Sequence, residues 1–218
     1  MAAPREAWNA DYAMRGHRWA GYSWGIPALS SHDRVLDVGC GNGKTILSMT
    51  GAHPLSPGRG SGSPDIVGLD FSLAAIRLCS QNTRGKTNIH LVYGDGSCMP
   101  FSDSSFDYVL LFHVLGHACL RSRKMICTEA GRVARVGGRV IIRVFSTRDF
   151  RSGKGKEIED MTFLRGDGIF THYFTIPEIT DLNPGLSALS VGTSTWTLKV
   201  RGNTLEREEI YAIFQKTT

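Results

Sequence analysis

Long apolar runs are missing from this chain. No stretch of its 218 residues approaches the ~20 consecutive apolar residues that a membrane-spanning helix requires. The opening MAAPREAWNADY has no apolar core of a secretion signal. The expectation is a soluble, cytoplasmic chain with no membrane association. Cysteine is sparse and poorly spaced for pairing. Cys40, Cys79, Cys98, Cys119 and Cys127 make no C-x-x-C pair, and an odd, scattered set is a poor disulfide framework, so reduced thiols are expected. A metal is not expected either: His113 and His117 stand four apart, but no nearby acid or thiol completes a ligand set. Low-complexity sequence is confined to GAHPLSPGRGSGSPD, residues 51–65, and no internal repeat is present. Its Gly, Pro and Ser content predicts an exposed, mobile loop insertion over 51–64.

What is present is an ordinary globular composition. Hydrophobic residues make up 41% and charged residues 21%, enough for one domain over 1–218 with a core of its own. The net charge of +5 is unevenly spread. Arg121 to Lys156 holds eleven Lys/Arg against two acids, a local +9 that leaves −4 for the rest. Such a stretch is either a phosphate-tracking surface for a nucleic acid or a set of solvated helix and loop charges.

Strand-like and helix-like runs alternate through the first two thirds of the chain. RVLDV, DIVGLD, NIHLVYGDG, FDYVLLFHV and GRVIIRVFS read as strands. KTILSMT, FSLAAIRLCSQN and SRKMICTEAGRVA read as helices, with Ser72 as an N-cap. This alternation predicts an α/β protein with a parallel sheet covered on both faces. STWTLKV (194–200) and EEIYAIFQK (208–216) then read as two late strands joined through RGNTLER.

The first strand runs into Gly39-Cys40-Gly41-Asn42-Gly43, a turn that lets backbone amides approach a ligand closely. Its spacing is one residue tighter than the G-x-G-x-x-G of dinucleotide folds. Asp37 suits a ligand's ammonium better than a pyrophosphate. Asp70, ending the second strand, would reach ribose hydroxyls, with Phe71 beside it. Asp95 and Gly96, ending the third, suit an adenine edge. Phe112 and His113 end the fourth.

Residues 34–146 resemble a class I S-adenosylmethionine-dependent methyltransferase through VLDVGCGNGK, VGLDFS, GDGSCMPFSDSSFDYVLLFHVLGH and EAGRVARVGGRVIIRVFS. The resemblance implies a single Rossmann-like seven-stranded sheet of order 3-2-1-4-5-7-6, strand 7 antiparallel, with helices on both faces. It implies S-adenosylmethionine as cofactor and S-adenosylhomocysteine as product. Gly39–Gly43 would hold the methionine part, Asp70 the ribose, and Asp95 with Gly96 the adenine.

The motifs also sort the chemistry. LFHV stands where exocyclic-amine enzymes carry Asn/Asp-Pro-Pro-aromatic, and Cys98 is two residues from Pro100 rather than adjacent, against a C5-pyrimidine nucleophile. MTFLRGDGIFTHYFTIPEI and WNADYAMRGHRWAGYSWGIPAL resemble the 3-methylcytidine transfer-RNA methyltransferases beyond the cofactor core. That resemblance implies an acceptor-side segment over 147–175, with Arg165 and Asp167 as catalytic residues and Tyr173 beside them. It also implies an N-terminal lid over 1–30 that includes Tyr12, Arg18 and Trp19. Trp8, Trp19 and Trp24 read equally as an aromatic lid or as a strap on the core. His117, Arg143 and His172 complete the expected substrate-side set. The acceptor is expected to be a transfer-RNA base such as cytidine, with a small amine, acid or hydroxyl compound as the alternative. A non-catalytic cofactor-binding subunit is the third reading.

Overall fold

The computed structural model describes residues 4–15, 22–50, 63–166, 168–200 and 202–218. A seven-stranded sheet organises the chain. Its strands are β1 (Arg34–Val38), β2 (Asp65–Asp70), β3 (Ile89–Tyr93), β4 (Phe106–Phe112), β5 (Ala134–Phe145), β9 (Ser187–Val200) and β10 (Asn203–Gln215). The order is β3-β2-β1-β4-β5-β10-β9. Counted within this sheet alone, it is the expected 3-2-1-4-5-7-6. The first five strands run parallel, and β10 is antiparallel to both β5 and β9. The parallel strands are apolar along nearly their whole length because both faces are covered. Val35, Leu36, Val109, Leu110, Leu111, Val140 and Ile142 are fully buried.

Helices α2 (Lys44–Met49), α3 (Leu73–Asn82) and α4 (Leu120–Val133) connect the parallel strands, with α5 (Ile176–Asp181) before the hairpin. Ser72 caps α3 as its sequence suggests: its hydroxyl accepts from the Ala75 amide at 3.2 Å.

Three features differ from the sequence reading. Residues Pro4–Arg15 form a helix, α1, whose Trp8 and Tyr12 are buried with Ala75 and Ile169. Trp8 and Tyr12 therefore strap α1 onto the core. RGNTLER joins the two late strands only at its start: β9 ends at Val200, and β10 begins at Asn203 and pairs continuously with β9, one irregularity between Ile213 and Phe214 apart. The 147–175 segment carries strands that the sequence reading did not place. β6 (Lys156–Glu159), β7 (Thr162–Leu164) and β8 (Phe170–His172) form a separate three-stranded antiparallel sheet. That small sheet is joined to the end of β5 where Phe174 N–H donates to the Phe145 carbonyl at 2.9 Å. Gly168, at φ +77°, closes the β7–β8 turn by donating its N–H to the Arg165 carbonyl.

Among the described residues no helix is long and apolar enough to cross a membrane. The 51–62 part of the predicted loop, Arg18, Trp19 and Asp167 lie outside the described residues.

Candidate active site

A cavity of about 600 Å³ opens over the carboxyl ends of the strands. Open α/β sheets place ligands there because the loops diverge where the strand order reverses. Here β1 and β4 are adjacent, with the sequence running outward to β2 and β3 on one side and to β5 on the other.

The glycine turn forms the floor. Gly39, Gly41 and Gly43 all have positive φ, between +54° and +86°. A Cβ on Gly39 would meet Val114 Cγ2 at 2.9 Å, one on Gly41 would strike the Tyr12 hydroxyl, and one on Gly43 would lie 2.7 Å from Cys79 Sγ. Backbone conformation and space both require glycine. Asp70 holds this turn in place, accepting from the Gly41 amide at 2.9 Å and the Ser72 amide at 2.8 Å. Burial pushes the Asp70 carboxyl up to about 6, although both amides oppose the shift. Asp37, directly beneath, is pushed up to about 8 by burial and then by the Asp70 charge. Its Oδ2 has no hydrogen-bond partner. A buried carboxyl with an unsatisfied oxygen under an amide-lined turn fits a ligand carrying an ammonium group and a ribose.

Helix α1 is tied to the same place. Asn9 Oδ1 accepts from the Ala74 amide at 3.0 Å and the Ser72 hydroxyl at 3.2 Å, so α1 seats on the first turn of α3. Trp8 in turn meets the His117 ring edge-on at 4.8 Å.

The opposite wall comes from β4, β5 and the final hairpin. Glu209 is fully buried and receives Arg143 Nη2 at 2.7 Å and His113 Nε2 at 3.2 Å. Arg143 also donates to the Trp24 carbonyl at 2.6 Å, and its guanidinium lies 4.1 Å from the Trp24 ring centre and 5.0 Å from that of Phe112. Burial works to raise the Glu209 carboxyl, but His113 and Arg143 outweigh it and hold it below the usual range. Burial, helped by the Arg143 and Lys44 charges, keeps His113 below the usual imidazole range despite Glu209. His113 is therefore neutral at neutral pH. His113 Nε2 lies 3.2 Å from Glu209 Oε2, and the other ring nitrogen, Nδ1, has no hydrogen-bond partner. His113 also adopts φ +60°, rare outside glycine, with its amide held by the Arg143 carbonyl at 2.8 Å. Beyond it the cavity reaches Phe145, Trp196 and Arg207.

Of the expected cofactor residues, Tyr12, Gly39, Cys40, Gly41, Asp70, Phe71, Phe112 and His113 line this cavity. Gly43 caps α2 behind it, and Asp37 lies below it. Asp95 is half-exposed outside the lining, 3.5 Å from Arg5 and bonded to Ser97. Gly96 supports the strand ends from behind, where a Cβ would meet Val38 at 2.9 Å.

Of the expected acceptor-side residues, His117 and Arg143 line the cavity. Arg143 does so as a member of a closed ion pair rather than as a free cation. His172 is displaced from the expectation: it is buried between Thr162 Oγ1 and Glu178 Oε1, both at 2.8 Å, and braces β8 against α5. Tyr173 is buried, with its hydroxyl accepting from Arg165 at 2.9 Å, and neither residue reaches the lining. The basic stretch Arg121 to Lys156 is not one charged face. Arg123, Arg132, Arg135, Arg143 and Arg148 are each engaged by a carboxylate. Counting charges along the sequence missed most of those partners because Glu159, Asp107, Glu209 and Glu208 come from strands outside the stretch and Asp103 from a loop, with Glu129 alone inside it.

The sequence reading missed Lys44, Trp196, Arg207 and Glu209. The signal was present in EREEIYAIF, where charges at 207 and 209 alternate into an apolar strand on the face that Tyr211 and Ile213 share. Among the described residues no group of three or more His, Cys, Asp or Glu could hold a metal ion.

Residues 29–195 match the family described as a methyltransferase domain, and the chain belongs to that family. It is 27% identical over 164 residues to the tRNA N(3)-cytidine methyltransferase METTL2 of Gallus gallus, covering 72% of this chain and 43% of that one. It is 32% identical over 111 residues to the demethylmenaquinone methyltransferase of Staphylococcus haemolyticus, covering 50% of this chain and 41% of the relative. The chain thus spans less than half the length of the curated relatives it matches. A solved S-adenosylmethionine-dependent methyltransferase from Methanosarcina mazei superposes with a TM-score of 0.66 at 24% identity, covering 87% of this chain and 94% of that one. A chain from the complex between the Haloferax volcanii Trm112 methyltransferase activator and a methyltransferase superposes at 0.69 with 16% identity, over 98% and 97%. These likenesses establish the class I fold.

Proposed function

We propose that this methyltransferase-domain protein methylates a ring nitrogen of an RNA base, in transfer RNA, with S-adenosylmethionine as donor. One observation carries the reading. A single cavity runs from the glycine turn and Asp70 to aromatic walls at Trp24, Phe145 and Trp196. A donor site and a slot for a flat acceptor therefore share one open cavity, as an extruded base stacked on aromatic rings requires.

The roles follow from the geometry. The Gly39–Gly43 amides and Asp37 would hold the amino-acid part of the cofactor, and Asp70 its ribose. Asp95 and Gly96 would bound the adenine at the rim. The cofactor supplies an electrophilic methyl group on a sulfonium. The protein's task is then to align the acceptor lone pair and exclude water. A pyridine-like ring nitrogen needs no base to remove a proton. His113 Nδ1 would accept a hydrogen of the base's exocyclic amine and fix its orientation. Glu209 would hold that tautomer, and its charge would favour the cationic product. Arg165 and Asp167 would act from the β7–β8 turn, and Tyr12 and Trp8 would close the lid. The whole chain would work as one domain, with 147–175 on the acceptor side.

A second reading is kept by the demethylmenaquinone relative: an aromatic slot also suits a small ring compound. Incubation with labelled cofactor, followed by separation of RNA, protein and metabolite fractions, decides. Label in transfer RNA at a ring nitrogen is the expected result. Label only in small metabolites would transfer the slot to the second reading.

A further inference from the structure

Arg207 lines the cavity, and behind it gather Arg151, Lys154 and Arg165 of the 147–175 segment, which do not reach the lining; the roles above use only Arg165 of these four. The ring of Phe150 is their hub. Arg151 lies 5.3 Å from its centre, Lys154 4.8 Å and Arg207 5.6 Å. Arg207 is also 4.0 Å from the Phe145 ring and 5.6 Å from the Trp196 ring, so three aromatic faces fix its guanidinium. Arg165 approaches through Tyr173, whose hydroxyl accepts its Nη2.

Against these cations the described residues set one carboxylate, Asp149, which takes Arg207 Nε and the Arg151 amide. Glu208, next in sequence, is engaged by Arg148 and the Ser146 hydroxyl. The cluster keeps an excess of positive charge and has unused donors. Arg207 is 6% exposed and lines the cavity, yet its Nη2 has no partner. Arg165 Nε is likewise buried without one. Folding leaves a buried N–H unpaired only at a cost, so two in one cluster point to a missing acceptor. Burial, then the charges of Arg207 and Arg165, depresses the Arg151 guanidinium, as expected of cations held together without enough counter-charge.

We infer that Arg207, Arg151 and Arg165 form a binding site for a phosphate group of the acceptor, set beside the aromatic slot at Trp196. The planar fork of arginine suits phosphate oxygens, and the aromatic faces confine it without neutralising it. The site would seat the phosphate that adjoins the extruded base. It rests on the RNA reading only for the identity of the phosphate's owner.

The test separates the two ideas. Protein saturated with S-adenosylhomocysteine is titrated by calorimetry with the four nucleoside 5′-monophosphates and with the matching nucleosides. At least one monophosphate is expected to bind ten-fold or more tightly than its nucleoside, with inorganic phosphate competing. Arg151→Gln breaks no described ion pair and should reduce that advantage at least three-fold; Arg207→Gln should abolish it. Equal binding of monophosphates and nucleosides, or no binding of either, overturns the site, as does an advantage unchanged in Arg151→Gln. Labelled-methyl transfer to transfer RNA is measured in parallel. Transfer with an unaltered KM in Arg151→Gln would retain the RNA reading and reject the site. A phosphate advantage lost in the variants, without any transfer to RNA, would retain the site and reject the RNA reading.

Discussion

Arg143 of β5 and Glu209 of β10 meet at 2.7 Å across an antiparallel strand pair, the glutamate fully buried and the arginine nearly so. In the strand register Arg143 faces Tyr211 and Glu209 faces Phe145, so the pair is diagonal on one sheet face. A buried pair adds little net stability, but removing one partner strands the other. Glu209→Gln should lower unfolding stability by about 3–5 kcal/mol. Replacing both residues with apolar side chains of similar volume should restore most of it while ablating transfer activity. Denaturant unfolding of the single and double variants measures this, and additive losses would contradict the coupling.

The paired aspartates beneath the glycine turn give the ligand-free protein an unusual pH dependence. Asp37 and Asp70 are raised to about 8 and about 6 from the ordinary value of 3.8. Between roughly pH 4 and pH 8 the folded state then binds more protons than the unfolded chain, so this contribution to stability is fullest in acid and is lost as pH rises. Asp37→Asn should flatten the profile and raise stability at pH 8 by about 1–3 kcal/mol, the cost of the unsatisfied buried oxygen. Melting temperatures of both proteins from pH 5 to 8 provide the check. A wild-type curve that climbs through this range, unchanged by the substitution, would rule out the raised aspartates.

The same pair should register cofactor binding. A cation placed beside Asp37 stabilises its charged form, so binding should release protons at pH 7. Calorimetric titration with S-adenosylhomocysteine in buffers of different ionisation enthalpy should show the release, and Asp37→Asn should diminish it. Asp70→Ala should weaken binding by about 10- to 150-fold, equivalent to one lost charge-assisted hydrogen bond. Affinity equal to wild type would remove Asp70 from the ribose.

Asn9 adds a polar clamp to the apolar docking of α1. Asn9→Ala removes the acceptor used by the Ala74 amide and the Ser72 hydroxyl. The expected loss is about 1 kcal/mol of stability, typical of a helix cap. If α1 gates the cavity, the dissociation rate of S-adenosylhomocysteine should rise more than its association rate. Stopped-flow tryptophan fluorescence can follow this, and unaltered dissociation would make α1 a passive strap.

The glycine-turn side of the cavity was legible because its requirements are local. A glycine needing φ of +54° to +86°, or an acid at a strand end, is recorded in five or six consecutive letters. The acceptor half was not, because its contacts join residues far apart in sequence. Arg143 reads as a free cleft cation until β10 supplies Glu209, 66 positions later. His172 reads as a pocket residue until Thr162 and Glu178 enclose it from both sides. The β6–β8 sheet escaped notice for a different reason. Its strands are three or four residues long, too short for alternation to stand out, and depend on Phe174 pairing with the end of β5.

Thiol chemistry offers a check on the fold that is independent of any ligand. Cys40, Cys79 and Cys127 are buried, Cys98 is exposed and Cys119 is partly exposed. The Cys79 hydrogen bond and then burial push Cys40 well above the usual thiol range, and burial raises Cys127 to about 12. Cys119 moves the other way, its thiolate favoured by the Ser122 hydroxyl. Thiolate is the reactive form, so iodoacetamide at pH 8 should label Cys119 and Cys98 within minutes and spare the other three until the protein is unfolded. Peptide mass spectrometry reads each site. Early labelling of Cys40 would mean that the glycine turn is not packed against α3, because its thiol becomes accessible only if that contact opens.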